Sequence, residues 1–360
     1  GPILRRLYAY RPIPSDKIEG PFLLLANHVT AADPVLIGIT LKPQMYFVAS
    51  EHLMQKGLLS QLLRFFFDPI VRRKGDSAVS AVKEMLKCLR AGQNVALFPE
   101  GTCSYDGTNP PMLPTVARVA KASGCTLVTF RFEGGYFTLP RWGRGIRRGA
   151  FSGGVVQVYP PEQLKAMRDA ELFAAIEADL SENAYARIAA SPAAYKSRHR
   201  AEYLESAFFL CPACKRVGTL ETRGDTVRCA CGCEGTLDGQ YRLSGFPVET
   251  LIEWDTLQND WLSQAAEDPA FSFSDKHAAL FTNDDAHRHA KLAEGAVVMT
   301  RDTLTVGTQT FALSEITDME LVRRNLLVFS THDAHYQVSG QKTLNARKYM
   351  LLYRIRKGAN

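Results

Sequence analysis

The chain has 360 residues, a formal net charge of +6 and 46% hydrophobic residues. This composition predicts a globular protein of two or three domains with real hydrophobic cores. The small positive charge does not indicate a nucleic acid partner, but it mildly favours anionic partners such as phospholipid surfaces. We find no secretory signal and no apolar run of about 18 residues, so no membrane-spanning helix is evident. The chain begins with Gly-Pro rather than Met, and we therefore expect that a native N-terminal segment is missing.

Predicted strands and helices alternate along residues 21 to 160, and residues 162–190 add further helix. Apolar runs typical of buried strands lie at residues 21–26, 45–49, 69–71, 94–98, 126–132 and 155–159. Helical periodicity covers residues 51–67, 76–91, 114–123 and 162–190. Such alternation is typical of an α/β layered domain, which we assign to residues 1–205.

The first polar motif follows the strand at residues 21–26. It consists of Asn27 and His28, with Asp33 five residues after the histidine. Residues five apart on one α-helix point about 140° away from each other, so His28 and Asp33 cannot pair across a regular helix. Asp33-Pro34 is typical of an N-cap followed by proline at the first helical position. We therefore expect His28 in the turn after the strand, with the chain curling back to bring Asp33 alongside. Alternatively, Asp33 only caps the helix and His28 only satisfies a loop carbonyl.

The second polar motif follows the strand at residues 94–98. It consists of Phe98, Pro99, Glu100, Gly101 and Thr102. Sites in open α/β sheets form outside the carboxyl ends of the strands, so both motifs lie where a site is expected. In this order the two motifs resemble the paired signature of the glycerolipid acyltransferases. These enzymes move a fatty acyl group from a thioester to the hydroxyl of a lysophospholipid, and the resemblance covers about half of the chain.

The resemblance implies a role for each motif residue. His28 is expected to be the general base that takes the proton of the acceptor hydroxyl. Asp33 is expected to fix the histidine tautomer and to stabilise the imidazolium. The acceptor hydroxyl is then the nucleophile, and it attacks the thioester directly without an acyl-enzyme. The expected substrate-binding residues are Asn27, Phe98, Pro99, Glu100, Gly101 and Thr102.

A third block of the family is an apolar strand that ends in arginine. Residues 69–73 resemble it, and Arg73 is the best match for the arginine that contacts the acceptor phosphate. A planar guanidinium suits phosphate oxygens, although a solvated basic turn is the alternative because Lys74 follows.

The chain departs from the family in two places. The strand at residues 126–130 has threonine where the family has proline. Cys103 stands where many members that use lysophosphatidic acid have arginine, so we expect a phosphomonoester acceptor to lose its usual advantage. No second base is evident beside Cys103, and we interpret it as a small pocket-lining residue. Cys88 and Cys125 are predicted to be packed rather than reactive.

Two further segments are candidates for a membrane surface. The segment from Leu53 to Val71 is apolar with two basic residues, which suits a helix in the membrane interface or, equally, a core helix. Residues 134–149 are rich in glycine and arginine and predict a loop. This loop either meets lipid headgroups or coenzyme phosphates or is a solvated connection.

A second unit begins near residue 206 with two clusters of cysteines. They are Cys211 and Cys214, then Cys229, Cys231 and Cys233. Thiolates at two turns can close a tetrahedral zinc site, and the metal replaces a core that so short a segment cannot build. We predict a zinc ribbon at residues 206–245 with structural zinc on Cys211, Cys214, Cys229 and Cys231, and with Cys233 as the alternate ligand. Disulfides are the alternative, but they do not persist in the cytosol.

Residues 246–360 predict a β-rich third domain. Residues 249–266 and 345–356 have helical patterns. Short strands are predicted between them at residues 296–300, 303–306, 310–313, 319–322, 326–330 and 336–338. A small β-meander closed by a C-terminal helix resembles a pleckstrin-homology-like module, and such modules often bind lipid or protein.

Taken together, the sequence predicts an acyltransferase, peripheral or monotopic, at the cytoplasmic face of a membrane. The resemblance implies acyl-CoA or acyl-carrier protein as donor and a lysoglycerophospholipid as acceptor. One alternative is an acyltransferase for another lipid acceptor, such as an aminolipid or glycolipid. Another is a non-catalytic lipid-binding scaffold on the same fold, against which the intact His28, Asp33 and Glu100 argue.

Overall fold

A computed structural model describes residues 2–50, 70–72, 78–283, 289–322, 324–340 and 344–358. The chain divides into two compact units. The first unit consists of residues 1–141 and 145–197, and the second of residues 142–144 and 198–360. None of the described helices is long and apolar enough to span a membrane.

The first unit is built on a mixed sheet. Its strands are β1 (Tyr10–Pro12), β2 (Phe22–Ala26), β3 (Met45–Ser50), β4 (Ile70–Arg72), β5 (Asn94–Leu97), β6 (Thr126–Glu133) and β7 (Phe151–Tyr159). Their order in the sheet is β1-β7-β6-β2-β5-β3-β4. Neighbouring strands in this order are parallel, apart from the antiparallel pair β6 and β7. The carboxyl ends of β2 and β5 therefore meet at one edge of the sheet.

Helices of the first unit pack on both faces of this sheet. They are α1 (Pro2–Tyr8), α2 (Asp33–Leu41), α3 (Ala78–Arg90), α4 (Thr115–Ser123), α5 (Gly135–Thr138), α6 (Pro161–Ala166), α7 (Asp169–Leu180) and α8 (Ala184–Ala190). Leu23 and Leu25 of β2 join a core cluster with residues of α3, α4 and α7. Phe22, Leu24 and Ala26, which alternate with them, join a second cluster with residues of α2. All five are buried, because a central parallel strand is covered on both faces, and the prediction of an α/β layered domain is confirmed.

The structure corrects some local predictions. Ala32, not Asp33, is the N-cap of α2, because the Asp33 side chain turns back toward the preceding loop. Residues 134–149, predicted as a loop, contain the short helix α5, and Arg147 within them is fully buried. The sequence patterns missed α1 and β1. The predicted helix at residues 51–67, most of the Leu53–Val71 segment and Arg73 lie outside the described residues, whereas residues 70 and 71 belong to β4.

The second unit contains two antiparallel sheets. The smaller sheet has the order β11-β10-β9-β8, and the larger has seven described strands in the order β15-β14-β13-β12-β18-β17-β16. The strands of the smaller sheet are β8 (Leu220–Arg223), β9 (Thr226–Cys229), β10 (Glu234–Leu237) and β11 (Leu243–Ser244). Those of the larger are β12 (Phe273–Asn283), β13 (His289–Met299), β14 (Thr303–Val306), β15 (Gln309–Ala312), β16 (Asp318–Val322), β17 (Leu326–Ser330) and β18 (His335–Gly340). The predicted β-rich domain is thus present, although β12 was missed.

Two helices complete the second unit, α9 (Leu251–Ala265) and α10 (Ala346–Arg356). Residues of α10 such as Tyr349 and Leu352 are buried in one core cluster with the seven-stranded sheet. A buried ion pair joins the two helices: Arg347 Nη1 and Nη2 donate to Asp255 Oδ1 and Oδ2 over 2.6 and 2.8 Å. Such a pair is expensive to break, because one buried charge is then left without its partner.

We expect Asp255→Asn to lower the free energy of unfolding of the second unit by about 3 kcal/mol, since it leaves the Arg347 guanidinium buried without a neutralising carboxylate. The matched control is Glu234→Gln, which breaks the exposed Arg228–Glu234 pair and should leave the free energy of unfolding nearly unchanged, because exposed ion pairs contribute little. All three tryptophans of the chain lie in the second unit. Urea unfolding followed by tryptophan fluorescence therefore reports on this unit, and equal losses for both variants would contradict the expectation.

Candidate active site

Asn27 anchors the loop that follows β2. Its side chain is fully buried. The Phe132 backbone N–H donates to Asn27 Oδ1 over 2.7 Å, and Asn27 Nδ2 donates to the Phe132 carbonyl over 2.9 Å. Phe132 lies on β6, the neighbour of β2. The amide thus continues the pairing of the two strands beyond the end of β2 and fixes where the next residue, His28, leaves the sheet.

His28 and Asp33 lie side by side. The sequence analysis predicted this arrangement, with the loop after β2 curling back to bring Asp33 to His28. His28 Nδ1 is 2.8 Å from Asp33 Oδ2. The Asp33 carboxylate has no exposed surface and accepts further hydrogen bonds from the backbone of Val29 (2.7 Å) and from the backbone (3.0 Å) and hydroxyl (2.6 Å) of Thr30. These donors satisfy the buried charge. They also hold the loop in the shape that the spacing of five residues requires.

The His28 ring is 21% exposed and stacks on Phe98, with ring centroids 4.3 Å apart. Burial lowers the pKa of His28, but the electrostatic influence of Cys103 and the hydrogen bond that the ring donates to Asp33 outweigh burial and raise that pKa well above its ordinary value. The sequence did not predict the interaction with Cys103. It arises because the loop after β5 folds over the loop after β2, where the Ser104 N–H lies 3.4 Å from the His28 carbonyl.

Glu100 lies behind the histidine and is 8% exposed. Its Oε2 accepts from the His28 backbone N–H over 3.2 Å, and its Oε1 accepts from Asn109 Nδ2 over 2.6 Å. Burial raises the pKa of Glu100 to about 7, although both hydrogen bonds oppose this shift. Glu100 thus ties the two motif loops together. Asn109 was missed by the sequence analysis, because its contact with Glu100 depends on how the loop after β5 turns, and no local sequence pattern records that turn.

Gly101 and Thr102 shape the rest of this loop. Gly101 has a φ of +68°, which glycine adopts without strain, and its N–H donates to the Phe98 carbonyl over 3.1 Å. Thr102 accepts a hydrogen bond from Arg141, whose guanidinium also lies 4.7 Å from the centroid of the Tyr105 ring. Arg141 comes from the Gly/Arg-rich segment and brings a cation to the position next to Cys103.

Three predicted site residues remain, of which the structure describes Phe98 and Pro99 but not Arg73. Phe98 and Pro99 are half-buried in the same loop as Glu100. Arg73, the predicted phosphate contact, lies outside the described residues, so its role stays a prediction.

A separate cluster of thiols lies in the second unit. The Sγ atoms of Cys211, Cys214, Cys229 and Cys231 all lie within 4.8 Å of one another, and Cys233 does not belong to the cluster. The eight cysteines of the chain are free. Cys214 Sγ and Cys229 Sγ are 3.7 Å apart, close to the edge of about 3.8 Å that tetrahedral Zn–S bonds of about 2.3 Å imply. The Thr219 hydroxyl, 3.1 Å from Cys229 Sγ, is placed as a thiolate donor.

The first unit thus has a His–Asp pair and a buried glutamate at the carboxyl edge of a mixed α/β sheet, which is the class of site that activates a nucleophile by general-base catalysis. Residues 6–133 match the family model named Acyltransferase. This N-terminal part of the chain is therefore similar to the acyltransferase family.

Two solved structures are similar to parts of the chain. The crystal structure of the 1-acyl-sn-glycerophosphate (LPA) acyltransferase PlsC from Thermotoga maritima is 24% identical, with a TM-score of 0.39 over 47% of this chain. This chain spans 65% of the length of that protein. The solution structure of the N-terminal PH domain of human ARAP2 is 10% identical, with a TM-score of 0.20 over 24% of this chain and 80% of that domain.

The buried Glu100 predicts an unusual pH dependence of stability. Its pKa in the folded chain, about 7, lies above the ordinary value of 4.5. The stabilisation that it contributes is therefore complete below pH 4.5 and is lost as the pH rises through 7. Relative to Glu100→Gln, we expect the wild-type first unit to lose about 2 kcal/mol of unfolding free energy between pH 5 and pH 8.

Hydrogen exchange of the β2 and β5 amides at the two pH values measures this difference. Glu177→Gln is the matched control, because Glu177 lies exposed on α7, and this variant should follow the wild type. A constant difference between wild type and Glu100→Gln across the range would show that Glu100 ionises in its ordinary range.

Proposed function

We propose that the protein is an acyltransferase that moves a fatty acyl group from acyl-CoA or acyl-carrier protein to the free hydroxyl of a lysoglycerophospholipid. The observation that carries this proposal is the 2.8 Å contact between His28 Nδ1 and the buried Asp33. It stands at the edge of the sheet expected to form a site, within the stretch that matches the acyltransferase family model. The acceptor and the donor are taken from the family resemblance and define the substrate class to be tested.

In this proposal His28 is the general base. Asp33 holds Nδ1, so the other ring nitrogen is the one that takes the proton of the acceptor hydroxyl. The hydroxyl oxygen then attacks the thioester carbonyl, and the carrier thiolate leaves with a proton from the imidazolium. Asp33 favours the charged ring that forms in this step, and the stack on Phe98 restrains the plane of the ring.

The acceptor phosphate is proposed to lie near the loop after β5. Because position 103 is a cysteine and not an arginine, the sequence predicted that the enzyme prefers phosphomonoester acceptors less strongly than many family members do. Arg141, however, brings a guanidinium to the neighbouring Thr102, and we propose that it contacts the acceptor phosphate together with Arg73. Phosphomonoester and phosphodiester lysolipids are both candidates, and the proposed substrate-binding set otherwise remains Asn27, Phe98, Pro99, Glu100, Gly101 and Thr102.

We propose that the enzyme works as a peripheral or monotopic protein at the cytoplasmic face of a membrane, because its acceptor is a membrane lipid and its donor a cytosolic thioester. The second unit then consists of a zinc ribbon at residues 206–245 and a pleckstrin-homology-like domain at residues 246–360. The antiparallel meander and the C-terminal helix α10 support this assignment.

The test of this proposal is release of the carrier thiol from acyl-CoA and from acyl-carrier protein with a panel of lysolipids. We expect transfer to at least one lysoglycerophospholipid. His28→Ala should reduce turnover by about 10² to 10⁴, as loss of a general base does, and Asp33→Asn should reduce it less. The matched control is His277→Ala, at an exposed position of the second unit, which should turn over like the wild type. Near-normal turnover of a folded His28→Ala variant would contradict the mechanism.

We also propose that the four clustered thiols hold one structural zinc. The donor set fits this metal, because four sulfurs at tetrahedral spacing leave no open position for a substrate. The metal is expected to stabilise the fold of residues 206–245, whose strands are only two to four residues long.

Elemental analysis of protein purified without added metal should therefore find one zinc per chain. Cys211→Ser should lower the zinc content and destabilise the second unit, since metal binding and folding are coupled. Cys233→Ser is the matched control, because this cysteine lies outside the cluster, and it should keep the full zinc content. Protein that is folded without zinc would contradict the assignment.

A further inference from the structure

Asn109 lies where the loop after β5 meets the connection from α7 to α8. Its Oδ1 accepts from the Glu182 backbone N–H over 2.5 Å. Its Nδ2 donates to the Leu180 carbonyl over 3.1 Å and to Glu100 Oε1 over 2.6 Å. Because a backbone N–H only donates, the Asn109 atom that faces Glu182 is the amide oxygen. The orientation of the amide is thereby fixed, and its nitrogen is directed at Glu100.

The connection that holds Asn109 is itself anchored at the end of β6. The Glu182 side chain is buried, and its carboxylate accepts from the Gly134 N–H over 3.0 Å. It also accepts from two nitrogens of Arg187 over 2.7 and 2.6 Å. A two-point pair between a guanidinium and a carboxylate restricts geometry more than a single hydrogen bond does. The N–H that fixes the Asn109 amide therefore belongs to a residue that is held firmly in place.

The backbones of the same two segments also contact each other directly. The Ala184 N–H donates to the Gly107 carbonyl over 2.9 Å, and Thr108 and Asn183 form an antiparallel bridge. These bonds do not involve the side chain at position 109, so we expect variants there to keep the segments together. The contribution that is specific to Asn109 is the hydrogen bond from its amide nitrogen to Glu100.

The other oxygen of Glu100 leads to the base of the proposed reaction. Glu100 Oε2 accepts from the His28 backbone N–H over 3.2 Å. A carboxylate that is held at only one oxygen can rotate about its side-chain torsions, whereas one that is held at both has its plane fixed. The preceding residue, Asn27, is held by Phe132 of β6. The backbone of His28 is therefore restrained from two directions, and Asn109 supports one of them.

We propose that Asn109 is a positioning residue of this site, which orients the Glu100 carboxylate toward the His28 backbone and so keeps the imidazole at the place from which it acts as base. This inference rests on the proposed acyl transfer, in which His28 takes the proton of the acceptor hydroxyl. Asn109 acts in this role only through Glu100. A displacement of about 1 Å at a catalytic group can cost about 10²-fold in rate, so loss of the restraint should reduce turnover more than substrate binding.

The test compares Asn109→Leu and Asn109→Asp with the wild type at pH 8. The leucine side chain has no hydrogen-bonding atom, whereas the aspartate side chain keeps an oxygen that accepts from the Glu182 N–H and loses both amide N–H donors. The matched control is Asn183→Asp. The Asn183 side chain is exposed and accepts from the Ala186 N–H as the N-cap of α8, and aspartate keeps such a cap.

Amide hydrogen exchange measures the positioning independently of activity. We expect the protection of the His28 N–H to fall about tenfold in both Asn109 variants, as loss of one hydrogen bond to a charged group implies. The Phe132 N–H, which donates to Asn27 Oδ1, should keep its protection, and Asn183→Asp should leave both amides unchanged. Unchanged protection of His28 in either folded Asn109 variant would overturn the proposal. An equal loss at Phe132 would also overturn it, because it would show a general destabilisation.

Turnover with a lysolipid that the wild type accepts separates positioning from binding. We expect kcat of both Asn109 variants to fall about tenfold to 10²-fold, with KM for donor and acceptor changed less than about twofold, and Asn183→Asp to resemble the wild type. Weaker protection of His28 with normal kcat would overturn the positioning role. Wild-type protein that transfers to no lysolipid would instead contradict the proposed function, and the exchange of the His28 N–H would still decide whether Asn109 holds the histidine.

Discussion

The first unit depends on one buried charge, the carboxylate of Asp33. A carboxylate without exposed surface is costly unless donors surround it. Here the donors are the Val29 and Thr30 N–H groups, the Thr30 hydroxyl and the His28 ring. The loop takes the conformation that brings these groups together, and this conformation fixes His28. The same interactions that satisfy the charge therefore position the base.

The sheet makes this arrangement possible. β2 and β5 are parallel neighbours, with Leu25 opposite Leu97, so the loops that follow them leave the sheet side by side. Glu100 then accepts from the His28 backbone N–H, and the Ser104 backbone N–H donates to the His28 carbonyl. The loop after β5 thus contacts a histidine that belongs to the loop after β2, and Phe98 stacks on the His28 ring.

The stability of the second unit depends on different interactions in its two sheets. Its four-stranded sheet is made of strands of two to four residues, too short to build a substantial core. Four thiols lie together at the turns of this small sheet, where a metal can replace the missing apolar contacts. The seven-stranded sheet needs no such help, because α10 buries aromatic and aliphatic side chains against it.

The sequence by itself determined the strands that alternate with helices, the two motifs at strand ends and the two clusters of cysteines, because hydrophobic periodicity and motif spacing are local properties. The tertiary structure decided the contacts between loops. It brought Glu100 to the His28 backbone, Arg141 to Thr102 and Asn109 to Glu100. It also brought Cys231, and not Cys233, into the thiol cluster. These outcomes depend on how the backbone of each loop turns after its strand, and no periodic pattern in the sequence records that geometry.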